Sequence, residues 1–118
     1  MSDPIVKDQT AASAAPSGPI TMLNRFTAQP GQLDAFIAAQ TAEYVRLKGR
    51  VPGWRGNRLL HAIDGSHVVN VADFDSHAEY VAWRDSALFA EHLEIIRPFL
   101  VKAEPALYSV LYEAAASR

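Results

Sequence analysis

The hydrophobic spacing of this chain switches between two periods along its length. Apolar residues recur at every second position in some segments, as in a strand, and at every third or fourth position in others, as in a helix. The order over residues 19–113 is strand, helix, strand, strand, helix, strand, with segments 19–29, 32–48, 54–61, 67–74, 76 up to Pro98, and 106–113. This order predicts an α+β, ferredoxin-like βαββαβ fold, with a four-stranded antiparallel sheet and both helices on one face.

Short local signals support the turns between these segments. Asp64-Gly65 predicts a hairpin turn between the second and third strands, because both residues tolerate positive φ angles. Ser76, followed three residues later by Glu79, has the pattern of a capping box at the start of the second helix. The apolar stripe of that helix slips near Asp85-Ser86, which leaves one helix or two short helices as the alternatives.

Apolar residues also predict which side of the first helix packs on the sheet. The predicted buried stripe consists of Leu33, Phe36, Ile37, Tyr44 and Val45. The charged residues expected to point away from it are Asp34, Glu43 and Arg46.

Two of the predicted strands are apolar on both faces, although two helices can cover only one face of the sheet. The last strand has Tyr108, Val110 and Tyr112 on one face, with Leu107 and Leu111 on the other. The third strand has Val68, Ala72 and Phe74 opposite Val69 and Val71. The second face therefore needs a cover, and the simplest cover is the same sheet of another subunit. We expect a homodimer.

The first eighteen residues differ in composition from the rest. They are mostly small and polar, with Pro and Gly, and cannot offset their ordering entropy by burial. We therefore expect a disordered N-terminal arm over residues 1–18 and one domain over residues 19–118. The arm lacks the basic start and apolar stretch of a secretory signal, so a cytoplasmic protein is expected.

Charge and cysteine content exclude several classes of function. The formal net charge is −2, which gives no clustered positive charge for nucleic acid or an anionic membrane. The chain has no cysteine, which excludes disulfides, thiolate catalysis and Cys-ligated metal centres. No apolar run approaches the ~20 residues of a membrane span. No glycine-rich dinucleotide fingerprint or P-loop is present.

Two asparagines interrupt apolar strand faces. Asn24 lies among Ile20, Met22 and Phe26, and Asn70 lies among Val68, Ala72 and Phe74. A buried amide with unmade hydrogen bonds costs about 1–3 kcal/mol, so each position needs a reason. Either each amide is satisfied by nearby backbone or water, or the two amides line a pocket and hold a substrate oxygen.

The histidines and aromatic residues give weaker signals. His61, His67, His77 and His92 show no metal-ligand spacing, and His92 alone falls beside an apolar stripe, where it could line a cavity. Trp83 lies three residues after Tyr80 on one side of a helix, which ordinary core packing explains. The Tyr80 phenol could alternatively pair with a ligand oxygen.

Several short motifs in order resemble the antibiotic biosynthesis monooxygenase family. They are ITMLNRFT at 20–27, VPGW at 51–54, Asp64-Gly65, VVNVADF at 68–74, and the segment from Trp83 to His92 with its Phe-x-x-His pattern. The resemblance covers about residues 19–113. It implies a dimeric α+β barrel built from ferredoxin-like subunits, which agrees with the two-faced sheet.

Within that family the chain is most similar to the cofactor-independent anthrone oxygenases, which convert an anthrone to a quinone with dioxygen and use no flavin, haem or metal. The resemblance implies catalytic roles for Asn24 and Asn70 and a substrate contact for Tyr80. It places Phe74 where those enzymes have a Trp, so the indole N–H is missing. His92 is a candidate catalytic residue. The other expected contacts to the small aromatic substrate are Phe74, Met22, Phe26 and Trp83.

Two alternatives remain open. Asn24, Trp83 and His92 also resemble the set used by haem-degrading relatives of the same fold, in which the histidine is an axial ligand. The third possibility is a non-catalytic dimeric protein that binds an aromatic ligand, which the Phe74 substitution favours.

Overall fold

The computed structural model describes residues 17–116, so all but the last two residues of the predicted arm lie outside the described residues. The elements are β1 (Ile20–Ala28), α1 (Leu33–Leu47), β2 (Trp54–His61), β3 (Val68–Phe74), α2 (His77–Arg84), α3 (Ala87–Ile96), a 3₁₀ turn (Arg97–Phe99) and β4 (Leu100–Ser109). The strands form one antiparallel sheet in the order β2-β3-β1-β4. The predicted ferredoxin-like fold is confirmed.

The last strand lies earlier in the chain than predicted. The prediction placed it at 106–113, but β4 begins at Leu100, directly after the 3₁₀ turn, and ends at Ser109. Pro105 lies inside this strand, opposite Asn24 of β1. Proline is tolerated there because β4 is an edge strand, where one side of the backbone needs no partner. Val110, Leu111 and Tyr112 therefore lie beyond the strand, and their predicted alternation of faces is wrong.

The second predicted helix is two helices that meet at Asp85-Ser86. Ser86 caps α3, since its Oγ accepts a hydrogen bond from the Phe89 backbone N–H at 3.1 Å. Ser76 caps α2 in the same way through the Glu79 N–H, also at 3.1 Å. Both caps satisfy backbone donors that a helix start leaves unpaired.

The helices cover one face of the sheet, here called the inner face, and two apolar clusters lie on it. The first contains Ile20, Met22, Leu47, Val51, Ala72, Phe74 and Tyr80, and the second contains Phe26, Phe36, Val68 and Ile96. Asn24 lies between Met22 and Phe26 along β1, and Asn70 has the same place on β3. The two asparagines therefore lie as a polar pair between the two apolar clusters.

Helix α1 packs on the sheet largely as predicted, with Phe36 buried and Leu33 and Ile37 against the second cluster, but its buried face is partly polar. Its buried residues are Phe36, Gln40, Glu43 and Leu47, which follow one another at helical spacing. Val45, predicted to be buried, is 78% exposed, and Glu43, predicted to point away, is 4% exposed. The prediction failed at these two positions because it assumed that polar residues of a helix face solvent. Here a glutamine and a glutamate face the interior.

The opposite face of the sheet, here called the outer face, has no helix on it. Its apolar residues are Leu23, Leu60, Val69, Val71 and Tyr108, as the strand register places them. Leu60 is 42% exposed and Tyr108 is 51% exposed in the single chain. None of the helices within residues 17–116 has the length and apolar content that a membrane span requires.

Candidate active site

A cavity of about 280 Å³ lies between the inner face of the sheet and the helices. Its volume is near the lower end of the ~300–1,000 Å³ typical of small-molecule sites. Seven of the eight predicted site residues line it: Met22, Asn24, Phe26, Asn70, Phe74, Trp83 and His92. Tyr80 is not among the lining residues. It packs edge-on against Phe74, with ring centroids 5.4 Å apart at 80°, and so lies behind the cavity wall.

Asn24 and Asn70 are direct register partners across β1 and β3. The Asn70 Oδ1 accepts a hydrogen bond from Asn57 Nδ2 at 3.2 Å. This bond fixes the orientation of the Asn70 amide. Its oxygen is engaged by Asn57, so the N–H donors of its Nδ2 remain available to the cavity. The Asn24 Oδ1 is buried and has no hydrogen-bond partner among the described residues. The pair therefore offers both a donor and an acceptor to a ligand.

Asn57 was not predicted, and a bulge in β2 accounts for its position. Trp54 pairs with Phe74 and Gly56 pairs with Asp73, so Arg55 is an extra residue in the strand. Side chains three residues apart normally point to opposite faces, but the bulge brings Trp54 and Asn57 to the same cavity. The sequence signal for this bulge was Gly56 inside an otherwise regular strand, where its φ is 134°.

A second polar pair lies on α1, one helical turn apart. Gln40 donates from Nε2 to the Tyr44 hydroxyl at 2.9 Å, and both residues line the cavity. The Gln40 Oε1 is buried without a partner among the described residues, like the Asn24 oxygen. Burial raises the pKa of Tyr44 to about 12, against hydrogen bonds from Gln40 and Asn57 that lower it. The phenol is therefore protonated at neutral pH.

His92 lines the cavity from α3 and is held by a glutamate on α1. Its Nδ1 lies 3.0 Å from Glu43 Oε1, and both side chains are buried. Arg46 contacts the same carboxylate with two nitrogens, Nε at 2.7 Å from Oε2 and Nη2 at 2.8 Å from Oε1. Arg46 Nη1 also lies 3.5 Å from Glu91 Oε1 at the surface. The result is a chain of contacts from solvent to the cavity wall.

The pKa values of Glu43 and His92 are both shifted by burial and by their charged partners. The hydrogen bond from Arg46 holds the pKa of Glu43 below its usual range, with burial opposing it and His92 assisting. Burial lowers the pKa of His92, with Glu43 opposing that shift. At neutral pH the arrangement is therefore an ionised Glu43 beside a neutral His92.

The wall next to His92 is aromatic. Trp83 and Phe89 stack edge to face with centroids 5.2 Å apart at 77°, and the His92 ring lies 6.1 Å from each of them. Edge-to-face contacts fix ring orientations beyond what burial alone provides. This part of the cavity offers flat apolar surface to a ligand.

The other histidines lie away from this site. His61 is exposed at the end of β2, and His67 contacts Ser66 Oγ through Nδ1 at 2.7 Å in the exposed hairpin turn. His77 occupies the first turn of α2. Within residues 17–116 no three His, Asp or Glu side chains are placed to hold a metal ion together.

Comparisons with known proteins agree with the fold. The profile of the family described as antibiotic biosynthesis monooxygenase matches residues 19–94. A sequence search of curated proteins gives no significant match.

Solved structures provide the remaining likenesses. A Bordetella bronchiseptica protein assigned to antibiotic biosynthesis monooxygenases has 22% identity and a TM-score of 0.72 over 81% of this chain and 100% of its own. SnoaB of Streptomyces nogalater, a cofactor-independent oxygenase, has 23% identity and a TM-score of 0.65 over 82% and 97%. A Mycobacterium tuberculosis protein has 20% identity and a TM-score of 0.70 over 82% and 99%. These likenesses establish the shared fold.

Proposed function

We propose, because the chain belongs to the antibiotic biosynthesis monooxygenase family, that it oxidises a flat phenolic aromatic of the anthrone class to a quinone with dioxygen and without a bound cofactor. The observation that carries this proposal is the pair Asn24 and Asn70, which lie opposite each other on the sheet side of the cavity. The similar fold of SnoaB, a cofactor-independent oxygenase, supports it.

The lining of the cavity supports a flat apolar ligand. Phe74, Trp83 and Phe89 contribute aromatic surface, and Met22, Phe26 and Leu93 contribute further apolar surface. Aromatic rings bind such surfaces by burial and by edge or offset stacking. A ligand seated there also displaces water, which would otherwise compete for the amide groups.

The unpaired polar atoms support a ligand that carries hydroxyl groups. The Asn24 Oδ1 and the Gln40 Oε1 are buried acceptors without partners among the described residues. Each such acceptor costs about 1–3 kcal/mol until it receives a hydrogen bond. Phenolic hydroxyls would supply the two donors. The free Nδ2 of Asn70 would donate to the oxygen on which negative charge develops.

The chemistry needs no resident redox group, because the substrate provides the electrons. An anthrone loses a proton from its methylene carbon and becomes an electron-rich anion that reduces dioxygen. Oxygen adds at that carbon to give a hydroperoxide, and loss of water leaves the quinone. One anthrone and one dioxygen thus become one quinone and one water. The protein binds the ring system, keeps water out and stabilises the anion.

The phenyl side chain of Phe74 shapes the cavity but offers no hydrogen bond to a substrate. Its ring is 2% exposed and packs against Tyr80, so it shapes the cavity floor. A phenyl ring has no N–H donor, unlike the tryptophan that the resemblance places there. The two asparagines and Gln40 therefore make the polar contacts to the substrate in this proposal.

The proposed working unit is a homodimer formed through the outer face of the sheet. That face presents Leu23, Val69 and Val71 at its centre, with Leu60 and Tyr108 partly exposed. A second copy of the same sheet would bury this surface symmetrically, as twofold interfaces require. Charged residues at the margin, such as Arg58 and Glu104, would lie near the rim.

Oxygen consumption with dithranol, a dihydroxyanthrone, tests the function. We expect dioxygen uptake that depends on the protein, with one quinone formed per dioxygen consumed. Binding of dithranol without uptake would instead indicate the non-catalytic binding protein. A Soret shift on addition of haemin, without anthrone turnover, would indicate the haem-dependent alternative.

A further inference from the structure

The cavity contains few groups that could accept a proton from a substrate. Its titratable lining residues are Tyr44, His92, Arg97 and Lys102. Arg97 and Lys102 are cations, and the Tyr44 phenol is protonated because burial raises its pKa to about 12. The asparagine and glutamine amides are not useful bases at neutral pH. Among the described residues of the lining, His92 is therefore the one available base.

Glu43 determines which nitrogen of His92 is available. An ionised carboxylate accepts hydrogen bonds and donates none, so the Nδ1 that contacts Glu43 Oε1 at 3.0 Å must carry the proton. The lone pair then lies on Nε2, the ring nitrogen that does not contact Glu43. A carboxylate that orients an imidazole in this way fixes its tautomer and stabilises the imidazolium that forms when the base takes a proton.

Arg46 gives this arrangement its rigidity. Two of its guanidinium nitrogens lie within 2.8 Å of the Glu43 oxygens, a two-point contact that fixes the plane of the carboxylate. The carboxylate is 4% exposed and lies on a helix face whose other buried residues are Phe36, Gln40 and Leu47. An apolar residue at this position would complete that face more simply, which indicates a purpose beyond packing.

We propose that His92 Nε2 is the base that removes the substrate proton, and that Glu43, clamped by Arg46, is the positioning residue that holds His92 in the required tautomer. This inference rests on the proposed function and adds the proton acceptor to it.

Protons and electrons balance when the substrate is an anthrone. The methylene C–H bond breaks, its proton forms a bond to His92 Nε2, and the electron pair remains in the ring system. Dioxygen takes two electrons as the C–O bond forms, and the imidazolium returns its proton to the peroxide oxygen. Nε2 then takes the second proton from the same carbon, the O–O bond breaks, and the departing hydroxide takes up that proton as water. His92 ends neutral, as it began.

Two-bond ¹⁵N–¹H NMR of histidine-labelled protein tests the tautomer without any substrate. We expect His92, assigned with His92→Gln, to carry its proton on Nδ1 at neutral pH. In Glu43→Gln the amide can donate to Nδ1, so the proton should move to Nε2. A proton on Nε2 of the wild-type His92 would overturn the role given to Glu43.

Anaerobic mixing with dithranol tests proton removal apart from oxidation. We expect the wild type to form the absorbing anthrone anion, and His92→Gln and Glu43→Gln to form it about 10²-fold more slowly. Equal rates in wild type and His92→Gln, or no anion formation above the buffer rate, would overturn the assignment. Anion formation without later dioxygen uptake would overturn the proposed oxygenase function and leave the base assignment standing.

The aerobic pH profile gives a readout that a merely structural Glu43 would not change. The charged groups around His92 are Glu43 and Arg46 on α1, Glu91 on α3, and the cavity-lining Arg97 and Lys102, while the uncharged rings of Trp83 and Phe89 lie 6.1 Å from its ring. We expect kcat to fall about 10²-fold in Glu43→Gln with KM nearly unchanged. Its acid inflection should move to lower pH, because the carboxylate that raises the pKa of His92 is gone. The matched controls are Asp34→Asn, an exposed carboxylate on the same helix, and His61→Gln; both should match the wild type.

Discussion

Asn24 and Asn70 face each other across β1 and β3 at the boundary between the two apolar clusters of the core. Neither amide is fully satisfied, since the Asn24 Oδ1 has no partner among the described residues and Asn70 receives one bond from Asn57. A folded domain could place apolar residues at both positions at lower cost. Their presence is the feature that most clearly separates this cavity from an ordinary core void.

Asn57→Ala should lower activity less than removal of Asn70 itself. The substitution deletes the donor that fixes the Asn70 amide but leaves the amide in the cavity. One such hydrogen bond contributes about 1 kcal/mol, which corresponds to about a fivefold loss in kcat/KM with dithranol. An Asn57→Ala loss as large as that of Asn70→Ala would show that Asn57 contacts the substrate directly.

Acidification should destabilise the protein in two windows. Burial lowers the folded-state pKa of His92 below its usual 6.5, so below that pH the unfolded chain binds the proton more readily and stability falls. The pKa of Glu43 is lowered from 4.5, chiefly by Arg46, so its contribution is present above that pH and is lost as the pH falls through the folded value.

Urea unfolding from about pH 7.5 to about pH 4 measures both windows. We expect His92→Gln to lose the dependence in the first window, between its folded-state pKa and 6.5, and to keep the second. A wild type equally stable across the whole range would contradict the buried ionised arrangement.

Gly53→Ala should lower the free energy of unfolding, although Gly53 does not line the cavity. Gly53 has a φ of +82°, and an added Cβ would lie 2.5 Å from the Glu79 Cδ and 2.7 Å from its Cβ. Strain of this kind costs of order 1–3 kcal/mol and also disturbs the cap of α2. Thermal unfolding measures the loss. Gly31→Ala is the matched control, because it has a similar φ of +76° and open space around the added methyl.

Val71→Asp should separate the proposed dimer. Val71 lies opposite Leu23 at the centre of the outer face, so two copies of the charge would meet at a twofold interface. Sedimentation velocity should show twice the 12.9 kDa chain mass for the wild type and the single chain mass for the variant. Thr41→Asp, an exposed position on α1, should remain dimeric. A monomeric wild type would contradict the dimer.

The sequence predicted the elements of the fold correctly in those segments where the burial of one face alone decides the structure. Alternation and helical spacing located β1, α1, β2, β3 and the break at Asp85-Ser86, because burial on one face governs those segments. β4 was misplaced because Pro105 signals a break on local grounds, and its tolerance depends on an edge position that the sequence does not reveal.

The site was predicted in part for the same reason. Asn24, Asn70 and His92 interrupt or flank apolar stripes, which made them visible. Gln40 and Glu43 were missed because amphipathic reasoning places polar residues outside, and the bond that justifies Glu43 reaches a residue 49 positions away. Asn57 was missed because a single-residue bulge reverses its face. Contacts between residues far apart in the sequence determine whether such side chains are buried, and local sequence patterns carry no information about those contacts.

The turnover of dithranol by Asn24→Ala, Asn70→Ala and the double variant tests whether the two amides act on the substrate. Removing a donor that stabilises a developing anion costs about 10²–10³ in kcat. We expect Asn70→Ala and the double variant to lose activity on that scale, and Asn24→Ala, which removes a hydrogen-bond acceptor, to lose less, with circular dichroism and the dimer unchanged, while Thr41→Ala on the exposed face of α1 matches the wild type. A double variant that consumes dioxygen as fast as the wild type would contradict the roles of Asn24 and Asn70 in the reaction.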